Sequence, residues 1–302
     1  MNVINQFEYM YSNKKFSVFG AFSPGYTSFN MEVEMMYRQY YGMSSNPFDK
    51  ELETKNAYLT QDMKAMQGRL DYLKNHPGIG LFTAACGQGK TFALRCFSDK
   101  LNPNITKFYY ICLSTVTTTE FYRQMCNTLG LEISHKKSTM FNTIQDYFYN
   151  MSINKKVHCM VCLDEAQYLN NDILKDLKML CNFTMDSKNC FSLLLLGQPV
   201  LSNIMMRQPN EALRQRITVN YQFEGMQESE ALDYISKQLE LVGASGRIID
   251  ENAALVAYGS SGGSIRKLNL ILTKALMIGA QNNKQSIDAD MVLSAVNDIE
   301  LC

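Results

Sequence analysis

The segment that most restricts the fold of this chain is the eight-residue run AACGQGKT at residues 84–91. An apolar strand pattern precedes it and a helical pattern begins at about Lys90, so the run is the turn between a strand and a helix. Gly87 and Gly89 allow backbone N–H groups to turn toward one point, and the N-terminus of the helix adds positive potential there. The pattern predicts a phosphate-binding loop.

The chemistry of this loop assigns a role to each of its polar side chains. Lys90 is expected to reach the β- and γ-phosphates of bound ATP, and the Thr91 hydroxyl to take a coordination position on Mg²⁺. The loop departs from the usual pattern at Ala84, where glycine is the rule, and alanine is acceptable there if its backbone dihedrals are ordinary. The residues predicted to contact the nucleotide are Ala85, Cys86, Gly87, Gln88, Gly89, Lys90, Thr91 and Phe92.

A second signal is the apolar run at 157–163 that ends in the acidic pair Asp164 and Glu165. Two carboxylates at the carboxyl end of a buried parallel strand are costly unless they have a purpose, and ligand sites in α/β sheets lie at that end. Asp164 is expected to hold the Mg²⁺ shell through water, and Glu165 to orient and deprotonate the attacking water. The alternative is that the pair only caps the following helix.

The remaining pattern alternates strands with helices and then becomes helical throughout. Strand patterns cover about 79–84, 107–113, 157–164 and 192–197, with helical patterns between them, whereas helical periodicity alone follows residue 221. Alternation of this kind predicts a parallel sheet with helices on both faces. The predicted domains are an N-terminal extension at 1–40, an α/β nucleotide-binding domain at 41–221 and a helical lid domain at 222–302.

Composition excludes several classes of protein. The 302 residues carry 29 basic and 29 acidic side chains, so the net charge is zero and any nucleic-acid contact must come from a local patch. No apolar run approaches the roughly 20 residues that cross a bilayer, and the N-terminus lacks the apolar core of a signal peptide. We therefore expect a cytoplasmic protein without a membrane segment. The aromatic-rich segment at 1–34 is expected to be a loose extension, the product of an upstream start codon, or a partner-docking segment.

The nine cysteines include one C-x-x-C pair, Cys159 and Cys162. This spacing invites a zinc or redox site. Residues three apart on a strand point to opposite faces, however, so the two thiols cannot share a metal. They are predicted to be reduced core thiols.

The whole pattern from about Tyr41 onward resembles the AAA+ ATPases, which are P-loop NTPases. Three segments are similar to the ExeA/TniB-like branch of that group: YGM…NPF at 41–48, LGQP at 196–199 and LRQRI at 213–217. The branch includes transposition regulators such as TnsC, MuB and IstB. The full ExeA secretion proteins carry a membrane span and a peptidoglycan-binding region, and their absence here favours the transposition regulators.

The resemblance implies roles for further residues. Gln198 falls where AAA+ proteins place a polar sensor of the γ-phosphate. Arg216, with Arg214 as the fallback, matches the arginine finger that reaches the nucleotide of a neighbouring subunit; alternatively, either arginine pairs with Glu211 on the protein surface. Arg266, at the start of a lid helix, matches the second sensor, which clamps the phosphates; the alternative is an ordinary exposed arginine.

The resemblance also implies a function. Members of this branch bind double-stranded DNA without sequence specificity in the ATP state, assemble into homo-oligomeric rings or helical filaments, and recruit or activate a transposase. ATP hydrolysis, expected to be slow and stimulated by partners, would drive disassembly. Two alternatives remain open: a replication-loader-type ATPase and a nucleotide-gated signalling scaffold.

DNA contacts are expected from polar and basic groups that contact phosphates without recognising bases. The candidates are Ser114, Thr115, Thr117, Thr118, Thr119 and Arg123, together with Lys136 and Lys137. The alternatives are that Thr119 only caps a helix and that the two lysines lie in a solvated loop.

Overall fold

The alternating pattern builds a parallel sheet of five strands. The computed structural model describes residues 36–49, 54–112, 114–245 and 247–300, so the predictions for residues 1–34 lie outside the described residues. The strands are β1 (Ile79–Thr83), β2 (Thr106–Cys112), β3 (His158–Asp164), β4 (Ser192–Gly197) and β5 (Ile217–Gln222). They lie in the order β2-β3-β4-β1-β5, and every neighbouring pair is parallel.

Helices connect the strands and form the second domain. In the α/β domain they are α1 (Gln61–Asn75), α2 (Lys90–Ser98), α3 (Thr118–Leu129), α4 (Lys137–Tyr149), α5 (Asn171–Leu180), α6 (Val200–Met206) and the short α7 (Glu211–Arg214). The lid consists of α8 (Glu228–Leu241), α9 (Glu251–Ser261), α10 (Ile265–Gln281) and α11 (Ala289–Glu300). The predicted parallel sheet and helical lid are confirmed. Within the described residues, no helix is both long and apolar enough to cross a membrane.

The sheet is covered on both faces because its central strands are apolar at consecutive positions. Every residue of β4 is buried, and alternate residues of β3 enter two different apolar cores. Cys159 lies in one core and Cys162 in the other, which confirms that the pair cannot share a metal. Burial raises the pKa of the Cys159 thiol to about 12 and that of Cys162 well above its ordinary value. Both are structural thiols.

Strand β5 is the strand that the sequence pattern does not predict. Its residues are exposed or partly exposed except for Val219, which is buried. Because β5 lies at the edge of the sheet beside β1, its polar residues remain accessible on one side. A short strand of this kind has no continuous apolar run to mark it.

The chain that precedes the α/β domain packs against the lid. Residues 36–40 are helical, and Tyr37, Tyr41, Met43 and Phe48 lie in the apolar core of the lid domain. Tyr37 is fully buried there. The packed part of the chain thus includes residues 36–40, which the sequence pattern assigned to the extension, and the YGM…NPF motif serves to hold the lid.

One buried carboxylate joins the lid to the α/β domain. Asp62, in the first turn of α1, accepts hydrogen bonds from the backbone N–H groups of Glu224 and Gly225 at 3.1 and 2.8 Å. It also accepts one from the Tyr221 hydroxyl at 2.7 Å. Residues 223–227 connect β5 to α8, so these bonds fix the start of the lid relative to α1. This position determines what the lid presents to the phosphate-binding loop.

Candidate nucleotide-binding site

The phosphate-binding loop leaves β1 at the centre of the sheet. The Ala84 N–H donates to the Gly197 carbonyl at 3.1 Å, which ties the start of the loop to the end of β4. Gly87 and Gly89 have φ values of 80° and 89°, which favour glycine. Ala84 is buried and its φ is negative, so alanine fits at the position where glycine is usual.

Gln88 holds the loop from within. Its side chain is buried, and its Oε1 accepts a hydrogen bond from the Ala85 N–H at 2.8 Å. The same side chain lies against Gly225 in the connection to the lid, where an added Cβ would be 2.8 Å from Gln88 Nε2. The loop and the connection to the lid therefore fit together closely.

The predicted cation-binding and phosphate-binding groups converge on Asp164. Its Oδ2 accepts a hydrogen bond from the Thr91 hydroxyl at 2.9 Å, and the Lys90 Nζ lies 3.6 Å from its Oδ1. Lys90 and Asp164 are both buried, at 8% and 2% exposure. Burial costs both charges desolvation free energy, and their mutual attraction offsets part of that cost. The structure thus places a hydroxyl, a carboxylate and an ammonium beside the loop.

A tyrosine completes the surroundings of Asp164. The Tyr110 hydroxyl on β2 donates to Asp164 Oδ2 at 2.8 Å. Burial, together with the nearby Asp164 carboxylate, raises the pKa of Tyr110 far above its usual range. The phenol therefore stays neutral and acts as a hydrogen-bond donor to the carboxylate.

Glu165 projects from a sharp turn at the end of β3. Its backbone has φ 58° and ψ 36°, the left-handed region, and its N–H donates to Asp164 Oδ1 at 2.9 Å. Its carboxylate accepts a hydrogen bond from Gln167 Nε2 at 2.6 Å. The N-cap of α5 is Asn170, whose side chain accepts from the Ile173 N–H, so the acidic pair does not cap that helix.

The lid places the start of α10 against the phosphate-binding loop. Ser264 Oγ donates to the Cys86 carbonyl at 3.2 Å, and the Arg266 N–H donates to the Gly87 carbonyl at 3.2 Å. A Cβ on Gly87 would lie 2.4 Å from Ser264 Oγ, so glycine is required for this close approach. The Arg266 side chain is exposed, and within the described residues its guanidinium makes no hydrogen bond or ion pair. It is available for an anion at this position.

The donors suit magnesium and a triphosphate. Magnesium prefers hard oxygen ligands and is usually held by one or two protein groups together with phosphate oxygens. Thr91 and Asp164 supply such oxygens side by side, while the two left-handed glycines leave backbone N–H groups without an obstructing Cβ. The residues present therefore fit Mg²⁺ and ATP, which these groups would hold together with Lys90 and Arg266.

Gln198 lies next to Gln167, whereas the two candidate finger arginines contact groups outside the site. Gln198 directly follows β4, and its N–H donates to Gln167 Oε1 at 3.2 Å, close to Glu165. Arg216 instead pairs with Asp186 at 2.7 Å and donates to the Lys178 carbonyl at 3.2 Å. Arg214 donates to the Met206 carbonyl at 3.3 Å. Neither arginine is paired with Glu211, so that alternative is wrong in the single chain.

The DNA candidates divide into exposed and engaged groups. Ser114 and Thr115 are exposed. Thr117 is the N-cap of α3, where its hydroxyl accepts from the Glu120 N–H, so the prediction that Thr119 caps this helix is wrong: Thr118 and Thr119 lie in its first turn. The Arg123 guanidinium lies 3.8 Å from Glu120.

The two lysines also differ from each other. Lys136 is exposed, in keeping with a solvated loop, whereas Lys137 forms an ion pair with Asp176 and lies over the Tyr122 ring. Within the described residues Lys136 forms no ion pair, so its charge remains available.

Two residues of the site, Tyr110 and Gln167, do not follow from the motifs in the sequence. Tyr110 lies on the neighbouring strand of the sheet, and only the register of β2 against β3, in which Cys112 pairs with Asp164, brings it near the carboxylate. Gln167 follows Glu165 by two residues. Its position two residues after Glu165 was the available signal, because a tight turn can bring the side chains of residues 165 and 167 together.

Comparisons with known proteins agree with this geometry. Residues 73–205 match the family model described as "AAA domain". The chain is 30% identical over 266 residues to general secretion pathway protein A of Aeromonas hydrophila, a match that covers 86% of this chain. The chain spans about half the length of that relative, 48%.

Solved structures show the same fold at low sequence identity. Cdc6p from Pyrobaculum aerophilum has a TM-score of 0.63 at 16% identity, over 82% of this chain and 69% of that chain. Drosophila ORC bound to DNA has a TM-score of 0.63 at 12% identity, over 89% and 66% of the two chains. The RuvB branch migration motor of Thermotoga maritima has a TM-score of 0.53 at 16% identity, over 78% and 68%. The chain therefore has the AAA+ P-loop NTPase fold, a parallel α/β domain followed by a helical lid.

Proposed function

We propose that the chain binds ATP with Mg²⁺ and hydrolyses it to ADP and phosphate. The observation that carries this proposal is the convergence of Lys90, Thr91 and Asp164 within hydrogen-bonding or ion-pairing distance, with Glu165 on the adjoining turn. The same place thus has an ammonium that can bind phosphates, two oxygen ligands for a metal ion and a carboxylate that can activate water. The match of residues 73–205 to the AAA domain model supports the same activity.

In this proposal each side chain has one task. Lys90 and the backbone N–H groups of the loop bind the phosphates, Thr91 and Asp164 hold the metal, and Glu165 accepts the proton of the attacking water. Magnesium, when bound, neutralises charge on the phosphate oxygens. Tyr110 keeps Asp164 oriented toward Thr91. Arg266 would contact the phosphates from the lid, so nucleotide binding would join the lid to the loop.

The finer proposal is that this ATPase regulates transposition. In the ATP state it would assemble on double-stranded DNA and recruit or activate a transposase, and hydrolysis would disassemble it. The segments at 41–48, 196–199 and 213–217 that resemble the ExeA/TniB-like branch support this assignment. The exposed residues Ser114, Thr115 and Lys136 are the candidate DNA contacts whose side chains remain most accessible.

A second candidate is an ATPase module of a secretion-related protein. Its support is the relative in Aeromonas hydrophila, which is described as a general secretion pathway protein and extends well beyond the matched region. A replication-loader role has support from the fold alone, through the Cdc6 and ORC structures. A signalling scaffold that binds ATP without turnover is disfavoured by the presence of Glu165 beside Asp164.

The proposal is tested with ATP-dependent DNA binding. Wild-type protein should retain duplex DNA on a filter with a non-hydrolysable ATP analogue and release it with ADP, in a salt-dependent manner. Lys90→Ala should lose the ATP dependence, because the loop then lacks its buried cation. Lys100→Ala, an exposed lysine just beyond α2, is the matched control and should behave as wild type. Hydrolysis without any DNA binding would favour the secretion-related module over the transposition regulator.

A further inference from the structure

We propose that Gln167 is a positioning residue. It holds the Glu165 carboxylate in the orientation in which it accepts the proton of the attacking water. The inference rests on the proposed ATPase activity and extends it to a residue outside the phosphate-binding loop and the acidic pair. Gln167 lies in the single turn of 3₁₀ helix, Ala166–Tyr168, that directly follows Glu165.

The Gln167 side chain bridges two strands of the sheet. Its Nε2 donates to Glu165 Oε2 at 2.6 Å, at the end of β3. Its Oε1 accepts from the Gln198 N–H at 3.2 Å, at the end of β4. A backbone N–H can only donate, so the amide oxygen must face Gln198 and the amide nitrogen must face Glu165. The bridge therefore has one defined orientation.

The bridge occupies one carboxylate oxygen and leaves the other. Among the described residues, Gln167 is the only one whose side chain donates to Oε2 of Glu165, and no group donates to Oε1. A general base must accept from a water within hydrogen-bonding reach at a fixed position. With Oε2 held by the amide, Oε1 is the oxygen that remains to accept the hydrogen bond from water.

The strand that anchors the bridge is built to accommodate it. A Cβ on Gly197 would lie 2.6 Å from Gln167 Oε1, closer than real contacts allow. The Gly197 carbonyl also accepts the hydrogen bond from Ala84, the first residue of the phosphate-binding loop. Gln167 thus ties the base to the same backbone point that anchors the loop, which keeps the distance between them constant.

The turn itself does not depend on the Gln167 side chain. Its neighbours Ala166 and Leu169 are buried in the core, and the backbone of the turn is held by the Tyr168 N–H, which donates to the Glu165 carbonyl at 3.0 Å. Gln167 is only partly buried. Removing its amide should therefore leave the fold intact while freeing the Glu165 carboxylate.

The first test compares Gln167→Met, which keeps the length of the side chain, with wild type. We expect kcat for ATP hydrolysis to fall by about tenfold with KM unchanged, because an interaction that orients the base acts on the chemical step. Binding of a fluorescent non-hydrolysable ATP analogue and the thermal unfolding midpoint should both match wild type. A merely structural residue would instead shift the unfolding midpoint or the analogue affinity.

The second test uses Gln167→Met in two backgrounds. In wild type it should lower kcat by about tenfold; in the Glu165→Gln background it should cause little further loss, since coupled residues are not additive. The NMR signals of the Gln167 side-chain amide should also lose protection from solvent exchange in Glu165→Ala.

Unchanged kcat in Gln167→Met, or additive losses in the double variant, would overturn the assignment. Absence of hydrolysis by wild-type protein would instead refute the proposed function. The two failures are therefore distinguishable in one set of assays.

Discussion

The candidate nucleotide site and the edge of the α/β domain around Arg216 differ in how fully a single chain assembles them. At the site, Lys90 and Thr91 already contact Asp164, and the lid helix already touches the loop. At the edge, the Arg216 guanidinium is engaged by Asp186 and by the Lys178 carbonyl. One region is assembled by the fold alone, whereas the other is held by contacts unrelated to phosphate.

This difference has a physical cause. The site lies at the carboxyl ends of buried strands, where the parallel sheet fixes side chains from β3 and the loop after β1. Arg216 lies between the short helix α7 and the edge strand β5, where its side chain is 21% exposed and its partner Asp186 is 55% exposed. Because the Asp186 carboxylate is largely in water, this ion pair contributes at most about 1 kcal/mol, so a stronger anion can replace it. If Arg216 acts on the nucleotide of a second copy, it must exchange partners first.

The largest expected effect is at the site. Glu165→Gln should lower kcat by about 1,000-fold, because the amide cannot accept a proton from water. ATP binding should persist, since Lys90 and Thr91 are unchanged. Steady-state phosphate release measured beside analogue binding checks both statements.

Glu132→Gln, an exposed glutamate before α4, is the matched control and should leave both quantities unchanged. Normal turnover by Glu165→Gln would assign the base to another residue. It would also contradict the conclusion that one chain assembles the catalytic groups of the site by itself.

The next effect concerns the edge in the assembled state. Arg216→Ala should bind ATP as wild type yet hydrolyse it about 100-fold more slowly at concentrations that favour assembly, as expected when one group that stabilises developing charge is lost. At concentrations too low for assembly the variant and wild type should be equal. Arg214→Ala is the control; a larger loss in that variant would move the finger role to Arg214.

A smaller effect of opposite sign is expected from the residue that holds Arg216. Asp186→Ala removes the competing carboxylate, so assembled protein should hydrolyse ATP about twofold to fivefold faster, the range that corresponds to an exposed ion pair of up to about 1 kcal/mol. Phosphate release as a function of protein concentration measures it. A rate that falls in Asp186→Ala would show that the ion pair supports the active arrangement.

The smallest expected effect is a difference in thiol labelling between a cysteine of the loop and two cysteines of the core. Cys86 is exposed in the phosphate-binding loop, whereas Cys159 and Cys162 are buried. Burial raises the pKa of Cys159 to about 12, so below that pH its thiol stays protonated and unreactive in the native protein. At pH 8 a maleimide should label Cys86 and spare the buried pair, and ATP with Mg²⁺ should slow labelling of Cys86 severalfold. Peptide mass mapping reports each site, and equal labelling of Cys162 would contradict its burial.

The fold could be predicted from the sequence where local patterns were strong. The phosphate-binding turn and the apolar strand before Asp164 follow from glycines and consecutive apolar residues. Strand β5 did not follow, because an edge strand with alternating polar residues has no apolar run. The packing of Tyr37 into the lid was equally hidden, since that contact joins residues far apart in the sequence.

The sequence predicts the site to a similar extent as the fold. Lys90, Thr91, Asp164 and Glu165 lie in motifs whose chemistry is local, so spacing alone predicts them together. The bonds from Tyr110 to Asp164 and from Gln198 to Gln167 arise from strand register, which sequence periodicity does not determine. The engagement of Arg216 by Asp186 depends on a loop conformation 30 residues away.

Calorimetric titration of ATP with Mg²⁺ into the folded protein is the sharpest test of nucleotide binding. We expect saturable heat with one site per chain, no such heat for Lys90→Ala, and an unchanged signal for Lys100→Ala. Wild-type protein that gives no saturable heat while its unfolding remains cooperative would contradict this expectation.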